Sequence, residues 1–146
     1  MSSPDPGQSV VYASYFGGRG SDIVYSIAAG SGSVIALTGY TYSDDFPLSD
    51  PGGVTARPLH GAEAFMSQLD TEQPGRGALR HSVVIGGSNT DTGTAVAIDR
   101  AGNVYATGYT RSADLPVTDG STKLSAGGFN QGFVLATKDT PQEEPR

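Results

Sequence analysis

Ala101-Gly-Asn-Val-Tyr-Ala-Thr-Gly-Tyr-Thr-Arg-Ser-Ala-Asp-Leu-Pro-Val-Thr-Asp119 is a stretch that this chain writes twice. Sliding the sequence by 69 positions lays it over Gly32-Ser-Val-Ile-Ala-Leu-Thr-Gly-Tyr-Thr-Tyr-Ser-Asp-Asp-Phe-Pro-Leu-Ser-Asp50. Thr-Gly-Tyr-Thr, Ser-x-Asp-[Phe/Leu]-Pro and the closing Asp coincide. The same register pairs Gly17-Gly18 with Gly86-Gly87, Asp22 with Asp91 and Ala28 with Ala97, which makes twelve identities between residues 17 and 50. Ordinary composition would produce roughly two or three over such a span. The match therefore marks an internal repeat, and a repeat decides the architecture before any other feature does.

Composition sets the limits within which the repeat works. At 146 residues the chain has the size of one ordinary domain. It is 36% apolar, with 21 glycines and 9 prolines, and its apolar residues gather in short β-branched and aromatic runs, the mark of a folded all-β chain. Nine Lys and Arg against fifteen Asp and Glu leave a net charge of −6 with no basic cluster. The electrostatic footprint for nucleic acid is missing. The absence of cysteine excludes disulfides, thiolate metal sites and thiol nucleophiles. No stretch approaches a membrane span, and the opening Met1-Ser-Ser-Pro-Asp-Pro-Gly7 lacks a signal peptide's basic start and apolar run.

Strand patterns recur in register with the repeat. Val10–Phe16, Ile23–Ala29, Val34–Thr41 and Ala64–Leu69 are predicted strands of the first copy. Leu79–Ile85, Ala95–Ile98, Val104–Thr110 and Gly132–Thr137 are their counterparts. Short turns at Gly30–Ser33 and Asp99–Asn103 predict antiparallel hairpins, with Asp99 as the turn's acceptor and Gly102 able to take a positive φ. Tyr42–Gly61 and Arg111–Phe129 are predicted long loops on one common face, broken by proline and suited to carry whatever binding surface exists. The expected organisation is an N-terminal arm 1–9, a first repeat 10–71, a linker 72–78, a second repeat 79–139 and a disordered tail 140–146.

Each copy thus holds four short antiparallel strands, which is the content of a β-propeller blade. The patterns Tyr12-x-Ser-Tyr-Phe-Gly-Gly-x-Gly-x-Asp22, Gly102-Asn-Val-Tyr-Ala-Thr-Gly-Tyr-Thr-x-Ser-x-Asp-Leu-Pro116 and Glu63-Ala-Phe-Met-x-x-Leu-Asp70 resemble the bacterial β-propeller repeat known as SBBP, over about residues 10–139. The resemblance implies an all-β fold of two four-stranded blades, part of a propeller completed by oligomerisation or by a partner. It brings no catalytic set with it, and it suggests an exported or cell-surface protein.

Candidate site residues follow from the loops and the shared aromatic position. Tyr40 and Tyr109 are equivalent, and Tyr42 and Arg111 open the two long loops. Tyrosine suits inter-blade packing, the favoured reading, and also stacking on a sugar or peptide. Asp45 and Asp114 could offer oxygen to a hard cation or ligand, although their spacing is not that of an EF-hand. The preferred reading is that they accept backbone hydrogen bonds in turns ahead of Pro47 and Pro116. Asp22 and Asp91 are expected to cap turns, and nothing assigns them unequal acid and base roles. His60 and His81 have no spacing of metal ligands. No Gly-x-Ser-x-Gly elbow or phosphate loop is present. The expectation is a non-enzymatic module without cofactor or metal, acting as a structural or protein-interaction scaffold, with a lectin-like module as the alternative. Two blades cannot close a ring, so a homo-oligomer, with a trimer favoured, or a larger propeller-containing protein is the expected assembly.

Overall fold

The computed structural model describes residues 9–49, 61–118 and 129–138. His60, Asp50 and Asp119, the middle of both long loops, the first eight residues and the tail from 139 onward lie outside the described residues. The elements run β1 (Asp22–Ala29), β2 (Val34–Thr41), β3 (Glu63–Asp70), a single 3-10 turn (Gly75–Ala78), β4 (Leu79–Ile85), β5 (Asp91–Ile98), β6 (Val104–Thr110) and β7 (Gln131–Thr137). They form two antiparallel sheets, β1-β2-β3-β4 and β5-β6-β7. No α-helix occurs among the described residues.

Two expectations are corrected. Val10–Phe16 is not a strand in this structure. A strand exists only where an edge receives its backbone groups, and this segment is hydrogen-bonded into neither sheet. The second correction concerns the strand count, which among the described residues is four and three instead of four and four. Leu79–Ile85, the opening strand of the second copy, pairs with β3 of the first, Phe65 opposite Val84 and Met66 opposite Val83. The sheets therefore divide after β4, beyond the point where the sequence repeat begins again.

The two faces of the first sheet are buried by different means. Ala36, Met66 and Val83 point at the second sheet, where Val96, Ile98, Val104, Ala106 and Leu135 meet them. On the opposite face Leu37, Phe65, Leu69 and Val84 lie beneath Phe46 and Leu48 of the long loop. Phe16 completes this layer, edge-on to Phe46 at 5.2 Å and to Phe65 at 6.0 Å between ring centroids. Full burial of a side chain such as Phe65 stabilises by about 1.5–3 kcal/mol. The loop is held down by β4, for Ser82 Oγ donates to the Pro47 carbonyl at 2.6 Å and Ser82 N donates to Ser49 Oγ at 2.8 Å.

Each inner hairpin carries a β-bulge at the same place. Register slips between Val24 and Ser26 in β1 and between Gly93 and Ala95 in β5. Gly39 and Gly108, the glycines of Thr-Gly-Tyr-Thr, face these bulges, and a Cβ on either would stand 1.8 Å from the Ile23 carbonyl oxygen or 1.9 Å from that of Thr92. Only glycine lets the bulged backbone approach so closely.

Candidate binding surface

The side chains that the two copies share are organised around one buried or half-buried aspartate in each. In the first, Asp22 accepts from Thr41 Oγ1, from Ser43 Oγ at 2.7 Å and from Gly18 N at 2.9 Å. Ser43 Oγ in turn accepts from Gly20 N, and Ser43 N donates to Thr41 Oγ1. The second copy repeats this atom for atom. Asp91 accepts from Thr110 Oγ1, from Ser112 Oγ at 3.0 Å and from Gly87 N at 2.9 Å, while Ser112 Oγ accepts from Asn89 N. The repeated Asp, Thr and Ser therefore tie the Gly-Gly loop and the start of β1 or β5 to the end of β2 or β6. Threonine and serine are isolated polar residues in a sequence, so only their coincidence in the repeat hinted at this role.

Asp45 and Asp114 belong to the same construction. Asp45 Oδ1 accepts from Arg19 N at 2.8 Å, and Asp114 Oδ1 accepts from both Ser88 N and Ser88 Oγ at 2.8 Å. Backbone donors do engage these carboxylates, and Arg19 N and Ser88 N of the Gly-Gly loops are among them. Arg19 also lies 3.5 Å from Asp45 through Nε in an exposed ion pair, a kind worth little in water. Among the described residues no three of His, Asp and Glu converge to hold a metal ion. His81 stands in β4, with Nδ1 3.4 Å from Ser49 Oγ.

The tyrosines separate the two copies. Tyr25, Tyr40 and Tyr42 form a row, with centroids 5.8 and 5.7 Å apart. Tyr25 is the extra residue of the β1 bulge, and the bulge brings its ring to Tyr40. Half of the Tyr25 and Tyr42 surface is open to solvent. In the second copy the equivalent positions are Thr94, Tyr109 and Arg111, so Tyr109 stands without that row, and Arg111 donates through Nε to Asn130 at 3.2 Å. Tyr25 was not among the residues singled out in the sequence. A bulge displaces its extra residue from strict alternation, and alternation is what a sequence pattern shows.

At the other end of the second sheet, the β5–β6 turn is built as expected. Asp99 Oδ1 accepts from Ala101 N and Asn103 N, Oδ2 accepts from Asn103 Nδ2 and Tyr105 Oη, and Gly102 takes a φ of 88°. The Asn103 side-chain bond first, then the remaining donors, hold the Asp99 carboxyl below its ordinary value. The same carboxylate pushes the Tyr105 phenol up. A lowered folded-state pKa contributes stability that is complete above the ordinary carboxylate range and is lost as pH falls through the lowered value. Asp99→Ala should therefore flatten the decline of the urea midpoint between about pH 5 and pH 2, and an unchanged slope would show that the turn carboxylate carries no acid sensitivity.

No helix among the described residues is long and apolar enough to cross a membrane. No curated protein matches the chain. Residues 84–116, from the last residues of β4 through the Gly-Gly loop, β5 and β6 to the proline of the long loop, match the SBBP family, described as a beta-propeller repeat. The matched segment contains the whole Asp91, Thr110, Ser112 and Asp114 network, and it is in this segment that the chain is similar to the SBBP beta-propeller repeat, whose pattern the first copy repeats through Asp22, Thr41, Ser43 and Asp45.

Proposed function

We propose that the chain is a non-catalytic β-propeller module that serves as a structural or protein-interaction scaffold. One observation carries this reading: the acidic and hydroxyl side chains common to both copies direct their oxygens to one another and to backbone N–H groups. Groups committed in this way shape loops. A reaction needs an acid, base or nucleophile aimed at a substrate, with environments that set their protonation apart.

A second reading has its own support. The half-open row of Tyr25, Tyr40 and Tyr42 presents flat apolar faces with polar tips, an arrangement able to stack on a sugar ring. Tyr109, Arg111 and Asp114 lack the second and third rings, so a sugar site would belong to the first copy. A glycan array probed at micromolar protein distinguishes the two. The scaffold reading expects no signal above background. A signal that falls tenfold or more in Tyr42→Ala, with the melting temperature unchanged, would replace it by the lectin reading.

A further inference from the structure

We propose that Val10–Phe16 of one copy adds as a fourth strand to the outer edge of β7 of a second copy, joining chains head to tail. The proposal rests on the scaffold reading and names its partner. Among the described residues β7 has β6 as its one neighbouring strand. By the repeat, β7 is the counterpart of β3, since Thr110 faces Gln131 as Thr41 faces Glu63. Val10–Phe16 is likewise the counterpart of β4, by the same slide of 69 positions. What β4 does for β3, the N-terminal segment can do for β7.

Phe16 already occupies the position that this requires. Ile85, at the end of β4, pairs with Ala64 of the first sheet while lying in one cluster with Phe133 and Leu115 of the second. Phe16 is its equivalent, and it packs on Phe65 and Phe46, the equivalents of Phe133 and Leu115. The Gly-Gly loops that follow are pinned identically, Gly18 N to Asp22 and Gly87 N to Asp91. The chain before Phe16 thus leaves the first sheet from the place where β4 enters the second. Meanwhile Tyr15, the equivalent of buried Val84, is fully exposed.

The surfaces beside the two edges agree. Met66 is 1% exposed because the second sheet covers it, whereas its equivalent Val134 is 82% exposed. Ile27, on the far face of the first sheet, is 64% exposed, while its equivalent Val96 packs against the cluster that holds Met66. Repeating the internal sheet-to-sheet contact once more, between copies, would lay Ile27 of one chain near Val134 of the next, continuing an interface the molecule already contains. Neither Val10–Phe16 nor β7 carries a charged side chain, so neither has the usual protection against strand addition. The register follows from that of β3 and β4: Tyr15 opposite Phe133, Ser14 opposite Val134 and Ala13 opposite Leu135. Such a contact is heterologous and closes into a ring when the rotation allows.

Light scattering of the 146-residue chain should read a multiple of 15.0 kDa. The trimer, 3 × 15.0 = 45.0 kDa, gives six sheets, inside the usual propeller range of about four to eight. Tyr12→Pro/Ala13→Pro removes donors of either parity while keeping Phe16, and should yield a monomer. A wild-type monomer at micromolar concentration, or a folded double-proline variant of unchanged mass, overturns the proposal. Because the chain has no cysteine, Ser14→Cys and a size-tagged Val134→Cys can be oxidised together, which tests the register whether or not the proline variant folds. Directly opposed antiparallel residues lie about 4.5–5.5 Å apart at Cα, within disulfide reach. A mixed disulfide is expected, and none with Val11→Cys in place of Ser14→Cys; equal yields from both overturn the register and with it the strand. A monomer with a blank glycan array would remove the assembly alone, while a multimer that binds glycan would remove the scaffold reading alone.

Discussion

Gly108→Ala should lower the thermal midpoint by roughly 10 °C, and Gly39→Ala should do the same in the first sheet. The added Cβ would stand 1.9 Å from the Thr92 carbonyl oxygen in one case and 1.8 Å from that of Ile23 in the other. Both obstacles are backbone atoms of a bulge, which cannot rotate away as a side-chain tip can. Relief requires the bulge to open, at about 3 kcal/mol on the scale of overpacked interiors, and for a chain of this size each kcal/mol moves the midpoint by roughly 3–5 °C. Gly77→Ala is the matched control, because a Cβ there meets nothing within 4 Å and substitution reduces the freedom of the unfolded chain. Differential scanning calorimetry of the three variants checks this. A shift of less than about 3 °C in Gly108→Ala, below 1 kcal/mol on the same scale, would mean that the Thr-Gly-Tyr-Thr glycine is not required by the bulge.

Asp91→Ala should be of similar size and for a different reason. Asp91 is fully buried and accepts from Thr110 Oγ1, Ser112 Oγ and Gly87 N. Its removal strands three donors, two of them on side chains buried with it, at about 3–5 kcal/mol in total. Asp91→Asn keeps the shape but offers one acceptor oxygen where the carboxylate offered two, so an intermediate loss is expected. Asp22→Ala should cost less, since Asp22 is only half-buried and Gly18 N, one of its three donors, is exposed and can turn to water, whereas Asp91 is fully buried. The order Asp91→Ala, then Asp91→Asn, then Asp22→Ala can be read from urea midpoints at neutral pH. Equal losses for Asp22→Ala and Asp91→Ala would contradict the role assigned to burial.

Sequence by itself determined everything that a local pattern can carry. Alternating and β-branched runs placed β2, β4 and β6 within a residue of where they lie, and Asp99 with Gly102 specified a turn whose hydrogen bonds and positive φ are those the structure contains. The repeat showed that Asp22 and Asp91, and likewise Asp45 and Asp114, do the same work in both copies. It did not show which donors they serve, because Gly18 and Arg19 reach them across a loop closed by tertiary packing. The tyrosine row was hidden for the same reason, since a bulge breaks the period of two on which strand patterns depend. Tertiary structure alone decided which sheet receives Leu79–Ile85, and why Val10–Phe16, its counterpart, is no strand. Strand character belongs to a pair of edges and not to a segment, so equivalent sequences take different structures when one finds an edge and the other does not. Met66 and Val134 show the same rule for burial, at 1% and 82% exposure in equivalent positions: an apolar side chain is inside only where a second sheet has come to cover it.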